Sequence, residues 1–350
     1  MKTNGTSRSP RDKAIPTGCS PAGAGISGKA YDLVALGEAL IDFTEAGTSE
    51  NGRRLFEQNP GGAPANVLSA VSKLGGKTAF IGKVGDDMHG RFLKTALQDA
   101  GICTGGMIMA DDVFTTLAFV ALTGGEREFS FARKPGADTC LTESETDAGL
   151  LENCAIFHFG SLSLTDEPAR SATYAAIRRA KAAGALISYD PNYRAGLWPG
   201  PAEAARRICE PLAETDMLKI SDEEAEMLIG ISDPADAASA LCREGVRMTV
   251  VTLGKHGALV CAGGRCHKIP GFEIQAVDST GAGDAFWGGF LYRFLLAEKA
   301  DRFEPDAAAD FARFGNAVAA ICVSRRGGIP AMPSLREAEA LIRCPEQGGT

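Results

Sequence analysis

The segments Cys154-Ala155-Ile156-Phe157-His158-Phe159 and Ala185-Leu186-Ile187-Ser188-Tyr189, separated by a helical stretch at 168–183, set a pattern that continues towards the carboxyl end. Two further apolar runs, at 216–220 and 247–253, alternate with helical stretches at 201–214 and 222–245. Strand–helix alternation with short connections predicts a doubly wound α/β fold: a mostly parallel central sheet covered by helices on both faces. Ligands of such sheets bind beyond the carboxyl ends of the strands. Chemistry-bearing residues are therefore sought just after the apolar runs.

The first half is less regular. The run at 31–36 stops at Gly37 and reads as a buried strand, with Asp42 shortly after it, where a strand-end loop would present it. Residues 64–74 read as a helix ended by Gly75-Gly76. A strand at 78–84 and a helix up to Gly101 follow. Runs at 113–122 and 128–132, joined by Thr123-Gly124-Gly125-Glu126, predict a hairpin. The lid expected from 43–60 and 113–133 is a small β-sheet outside the main one. One domain is expected over 30–340. The first 29 residues, rich in Gly, Pro and Ser and without an apolar signal core, read as a disordered tail, and 341–350 as a second tail.

Composition narrows the function. Of 350 residues, 45% are hydrophobic and 23% charged, with a formal net charge of -8. That is ordinary globular usage, and an acidic surface argues against nucleic acid or anionic membrane as the main partner. No apolar stretch approaches the ~20 residues that span a bilayer. The ten cysteines form no Cys-x-x-Cys pair and sit mostly in apolar runs, so free thiols in a reducing, cytoplasmic setting are expected. The four histidines lack metal-ligand spacing.

The most informative stretch is Asp278-Ser279-Thr280-Gly281-Ala282-Gly283-Asp284, running into Ala285-Phe286-Trp287-Gly288-Gly289-Phe290-Leu291. The second part is apolar on nearly every side and reads as a buried helix. Its first turn would offer unpaired backbone N–H groups, and the small residues Gly281, Ala282 and Gly283 let an anion approach them closely. Asp284 stands at the same place, where a carboxylate can take a proton from a hydroxyl attacking a phosphoryl group. The bland alternative is that Asp284 only caps the helix. A second stretch, Gly61-Gly62-Ala63-Pro64-Ala65-Asn66, would allow close backbone approach to a polyol. Its Asn66 offers a donor and an acceptor to vicinal hydroxyls; by itself it also fits a turn and a helix start.

Together, and in this order, the two stretches resemble those of the ribokinase-like (PfkB) carbohydrate kinases, over about residues 31–333. The resemblance implies a Rossmann-like sandwich with a β lid, ATP as phosphate donor and Mg2+ as a required ion. It also implies roles for single residues. Asp42 would hold sugar hydroxyls. Thr252, Gly254 and Gly257 would form the nucleotide loop, and Asn316 would lie near the adenine, although a polar residue on a helix surface reads equally well. Asp278 and Thr280, with backbone near Cys322, Arg325 and Gly327, would make a monovalent-cation site suited to K+.

Many members carry Asn-x-x-Glu after a central strand, tied to the phosphate–magnesium network. Here Ser221 replaces the asparagine while Glu224 keeps the carboxylate, with Lys219 adding positive charge nearby. Ser-x-x-Glu before an apolar helix is also a capping box. The Gly-Gly-Ala-Pro-Ala-Asn string, Arg133 in the lid and Asp190-Pro191-Asn192-Tyr193-Arg194 resemble the fructokinase branch. Arg133, Asn192 and Arg194 would then face the sugar, the alternative for the two arginines being ordinary surface charge. The implied reaction is transfer from ATP to the 6-hydroxyl of D-fructose. 2-Keto-3-deoxygluconate kinase or ribokinase activity, and a non-catalytic sugar-binding regulator, are the alternatives. Exposed lid edges suggest a homodimer through the lid strands. A dinucleotide-dependent oxidoreductase is disfavoured, because no Gly-x-Gly-x-x-Gly follows the first strand.

Overall fold

In the computed structural model, which describes residues 25–123 and 126–343, the chain opens with β1 (Tyr31–Leu36), buried throughout. It then crosses into the pair β2 (Leu40–Thr48) and β3 (Arg54–Gly61) and returns through α1 (Ala63–Leu74) to β4 (Thr78–Gly85). Helix α2 (Met88–Asp99) leads to β5 (Ile102–Ala110), followed by β6 (Leu117–Thr123) and β7 (Glu126–Ala132). Regular alternation follows: α3 (Ala148–Glu152), β8 (Cys154–Gly160), α4 (Ala169–Ala182), β9 (Leu186–Asp190), α5 (Pro201–Cys209) and β10 (Met217–Ser221). The chain continues through α6 (Asp222–Ile229), α7 (Pro234–Arg243), β11 (Met248–Thr252), β12 (Ala258–Ala262) and β13 (Arg265–Ile269). It ends with α8 (Ala282–Leu296), α9 (Pro305–Val323) and α10 (Leu335–Arg343).

The main sheet runs β13-β12-β11-β10-β9-β8-β1-β4-β5. Strands β5 to β11 are parallel neighbours across it, and only β12 and β13 are antiparallel. The strand order reverses beside β1, whose neighbours are β4 and β8, so the main crevice is expected at its carboxyl end. A second sheet, β3-β2-β6-β7, stands apart. It begins at Leu40, so Asp42 lies within β2, paired with Asn59 and Ala118, rather than in a loop.

Several local expectations are corrected. The stretch 222–245 is two helices, because Gly230 takes the left-handed conformation (φ 69°) that ends α6, while Asp233 accepts from the Ala235 and Asp236 amides to start α7. Likewise α5 stops at Cys209 and gives way to a tighter turn containing Pro211. Helix α10 extends to Arg343, past the expected domain edge at 340. Not all cysteines are free thiols: Cys261 and Cys266, opposite one another on β12 and β13, are bonded to each other, and Cys103 is also disulfide-bonded. The turn glycines of the β6–β7 hairpin, 124 and 125, most of the amino-terminal tail and 344–350 lie outside the described residues.

Packing against the two faces of the sheet fixes helix α8. Helices α4 to α7 bury small and branched residues such as Ala172, Ile177 and Leu241 on one face; α1, α2, α8 and α9 cover the other. Within α8, Trp287, Phe290 and Phe294 are fully buried, each contributing on the order of 1.5–3 kcal/mol. The Trp287 Nε1–H donates to Ser188 Oγ on β9 at 2.9 Å, and that hydroxyl lies 3.0 Å from His158 Nδ1 on β8. Burial, with the Lys219 charge adding to it, pushes the His158 pKa down to about 3, so the imidazole is neutral and this link is uncharged. Helix α1 comes close enough that a Cβ on Gly288 would lie 2.4 Å from the Ala70 Cβ. Gly288→Leu should therefore lower the unfolding free energy in urea by about 1–3 kcal/mol. Unchanged stability would show that the α1–α8 contact has slack.

Candidate active site

The first turn of α8 is where the glycine-rich motif meets the fold. Gly281 is the N-cap, left-handed at φ 73°, and no side chain caps the helix. Asp284 is thus free of the capping role, and its carboxylate is buried between two amides. Asn66 Nδ2 donates to Oδ2 at 2.8 Å, and Asn192 Nδ2 donates to Oδ1 at 3.1 Å. Asn66 reaches there from the first turn of α1; Asn192 follows β9 and is the only non-glycine residue with positive φ (46°) among the described residues. Both asparagines, expected to meet sugar hydroxyls, hold the Asp284 carboxylate. The Oδ1 of Asn66 is buried without a partner among the described residues.

A cavity of about 170 Å³ opens over this carboxylate. Its polar lining includes Glu38, Asp42, Asn66, Asn192, Arg194 and Asp284, and its apolar lining includes Leu40, Phe131 and Leu162. The double glycine is needed here. A Cβ on Gly61 would meet the Asp42 carboxylate at 2.1 Å, and one on Gly62, at φ 113°, would strike the Glu38 carbonyl at 2.3 Å. Burial pushes the Asp284 pKa up to about 6; the Asp190 charge adds to this, while Lys219 and the Asn66 bond oppose it. Burial also raises Asp42 to about 6 against the pull of Arg194.

Arg133 does not reach the cavity. Its guanidinium is buried in an ion pair with Asp138 (2.7 Å) and donates to Thr165 Oγ1 and the Leu162 carbonyl. Its donors are consumed in bracing the cavity wall, and Phe131, two residues earlier, faces the space instead. Reading the sequence missed Phe131 and Glu38. The strand-end rule pointed to the residues after β1, but the aspartate four positions on drew attention past Glu38.

Beside the α8 turn, Lys219 and Asp190 form a buried ion pair at 2.8 Å. Burial works against the Lys219 ammonium, but Asp190 and Glu224 outweigh it and hold its pKa above the ordinary lysine value. A Cβ on Gly283 would lie 3.0 Å from Lys219 Nζ. The ammonium therefore borders the helix amides, a combination suited to anionic oxygen.

Ser221 and Glu224 do close a capping box at the start of α6: Ser221 Oγ accepts the Glu224 N–H, and Glu224 Oε2 accepts the Ser221 N–H. The other oxygen, Oε1, accepts the Tyr193 N–H at 2.6 Å, tying α6 to the Asn192 turn.

The remaining motif residues gather next door. Thr252 ends β11 opposite Ser221, Gly254 opens the following turn, and Gly257 packs so closely on residues 269–271 that a Cβ would overlap the Ile269 carbonyl. Asn316 on α9 donates to the Ile269 and Pro270 carbonyls, so it braces that same wall. On the far side of Gly281, Asp278 accepts from Thr280 N, Thr280 Oγ1 and Gly327 N. Cys322 Sγ leans on the Thr280 carbonyl at 3.9 Å, while the Arg325 guanidinium turns away to pair with Glu337.

The pfkB family carbohydrate kinase model matches residues 30–335. The chain belongs to that family. Fructokinase-1 of Zea mays is 44% identical over 314 residues, covering 89% of this chain and 97% of the relative. Among solved structures, the ATP-bound fructokinase of Xylella fastidiosa superposes with a TM-score of 0.83 at 36% identity, covering 89% and 98% of the two chains. The fructokinase of Vibrio cholerae O395, bound to fructose, ADP and calcium ion, gives 0.80 at 32% identity, covering 89% and 99%. The chain is accordingly a phosphotransferase acting on a carbohydrate hydroxyl.

In this kinase Lys219→Met would leave the Asp190 carboxylate buried and unpaired. Such a loss destabilises by about 3–5 kcal/mol, so urea unfolding should show a fall of that size. A loss under 1 kcal/mol would show that the pair is hydrated.

Proposed function

We propose that the protein is an ATP-dependent fructokinase in which Asp284 acts as general base. The observation that carries this is the Asp284 carboxylate: uncapped, buried and gripped by Asn66 and Asn192 at a helix N-terminus facing the cavity. The fructokinase relatives support fructose as the sugar and ATP as the donor.

The 6-hydroxyl of fructose would lie against Asp284, with Asp42 and Arg194 holding other hydroxyls. As the hydroxyl oxygen bonds to the γ-phosphorus, its proton passes to an Asp284 carboxylate oxygen and the bond to ADP breaks. Charge on the transferring group meets the amides of 281–284 and the Lys219 ammonium, which need no rearrangement at that moment. With a pKa of about 6, Asp284 is ionised at neutral pH yet basic enough to take the proton. Asn66 and Asn192 act through Asp284 by orienting it. Thr252, Gly254, Gly257 and Asn316 would line the nucleotide side.

Two ions belong to the proposal. Mg2+ neutralises phosphate charge when bound. Among the described residues no group of three His, Cys, Asp or Glu side chains could cage a metal. Glu224, both of whose oxygens also serve as backbone acceptors, would contact that ion through water. K+ would be held near Asp278, whose carboxylate joins the loops of Thr280 and Gly327 in an oxygen-rich corner beside Cys322 and Arg325. A homodimer through the lid is also proposed, supported by exposed Leu55 and Phe56 on β3. A cytoplasmic setting remains part of the proposal, with the Cys261–Cys266 bond standing against a reducing one; no helix among the described residues is long and apolar enough to cross a membrane.

The test is ADP release from Mg-ATP with fructose, ribose and 2-keto-3-deoxygluconate, for wild type and Asp284→Ala. Fructose should be turned over preferentially, and the variant should lose about 10²–10⁴-fold in kcat while binding fructose within a few-fold of wild type. Near-native turnover by the variant would overturn the base assignment, and preference for another sugar would overturn the substrate.

A further inference from the structure

Two residues lining the cavity carry a buried oxygen with nothing to bind among the described residues: Asn66, whose Oδ1 lies beside the amide that grips Asp284, and Glu38. Glu38 stands two residues beyond β1, where the strand order reverses, and is only 3% exposed. Its Oε1 accepts the Ala63 N–H at 2.9 Å, at the first residue of α1. Its Oε2 is buried and has no hydrogen-bond partner among the described residues, in a residue that lines the cavity alongside Asp42, Asn66 and Asp284. Leaving a buried acceptor unpaired costs about 1–3 kcal/mol, and more for a charged one. Such an orphan calls for a physical reason, and a missing ligand atom is one.

Among the described residues no side chain makes the missing bond. The Arg133 charge acts on Glu38, but its guanidinium is committed to Asp138, Thr165 and Leu162. Leu162 and Phe131, which share the cavity, bring apolar surface.

We propose that Glu38 is a sugar-binding residue whose Oε2 accepts a hydrogen bond from a substrate hydroxyl other than the one delivered to Asp284. The proposal rests on the fructokinase reading of this cavity. It also links recognition to chemistry. While Oε2 holds the sugar, Oε1 holds the first turn of α1, and from that turn Asn66 reaches the Asp284 carboxylate. Burial pushes the Glu38 pKa up to about 7, with the nearby Glu38 and Ala63 backbone N–H groups opposing. A hydroxyl donating to Oε2 would favour the ionised form further.

Glu38→Gln keeps an acceptor for the Ala63 N–H and replaces only the free oxygen. At pH 8 it should raise the KM for fructose tenfold or more, the loss of one bond to a charged group, with the KM for ATP unchanged and the melting temperature not lowered. Single-deoxy fructoses that retain the 6-hydroxyl supply a measurement independent of the variant. One of them should be poor for wild type, and Glu38→Gln should add no further penalty with it. A fructose KM within twofold of wild type would overturn the assignment. So would equal rises in both KM values with a lowered melting temperature, or analogue penalties that are the same in variant and wild type. Failure of the wild type to phosphorylate fructose would be seen before any variant is made, and would overturn the fructokinase reading together with this inference.

Discussion

A carboxylate held in a buried position by two amide donors is the constraint around which this molecule is arranged. Asn66 and Asn192 donate to the two Asp284 oxygens, and the Asn66 bond, together with the Lys219 and Arg194 charges, opposes the burial that would neutralise the carboxylate. Each partner comes from a different part of the chain: α1, the turn after β9, and β10. Their convergence requires α8 to lie at one height and rotation on the sheet. The Gly288–Ala70 approach, the Gly315–Phe286 approach and the Trp287–Ser188 hydrogen bond fix that placement.

The same arrangement makes the site costly to hold at neutral pH. Glu38, Asp42 and Asp284 all have pKa values raised by burial, to about 7, 6 and 6. For a carboxyl whose folded pKa is raised, the stabilising contribution is complete below its unfolded value near 4 and is lost as pH rises through the folded value. These three groups therefore weaken the fold between about pH 4 and 7. His158 acts the other way: its pKa is depressed from 6.5 to about 3, so its contribution is present above 6.5 and is lost as pH falls. The cavity carboxylates are retained against stability, which is the pattern expected where function needs charge. Hydroxyl groups of a polyol are suitable partners for them, being neutral donors that enter without adding like charge.

Much of the architecture was legible in the sequence because it rests on periodicity. The apolar runs of β8 to β11 are short, continuous and spaced by helices, and the glycine string before Asp284 leads directly into an apolar helix. Where the reading failed, the deciding factor was the direction of a side chain. Asn66 and Asn192 carry groups equally fit for a sugar or a carboxylate, and only the backbone, left-handed at Asn192, aims them at Asp284. Arg133 lies in a segment that looks exposed, yet Asp138 five residues on turns it inward. Glu38 carries no motif of its own; its meaning comes from the strand reversal beside it. The Cys261–Cys266 pairing depends on hairpin register, which spacing alone does not specify.

The dependence of kcat/KM for fructose on pH tests the central claim most directly. If Asp284 is the base, activity needs its ionised form, so kcat/KM should fall about tenfold per unit below an apparent pKa near 6. Asp42 and Glu38 titrate in the same range, so that apparent value belongs to the cavity carboxylates together. A profile flat from pH 5 to 8, with the protein shown to remain folded, would contradict the account.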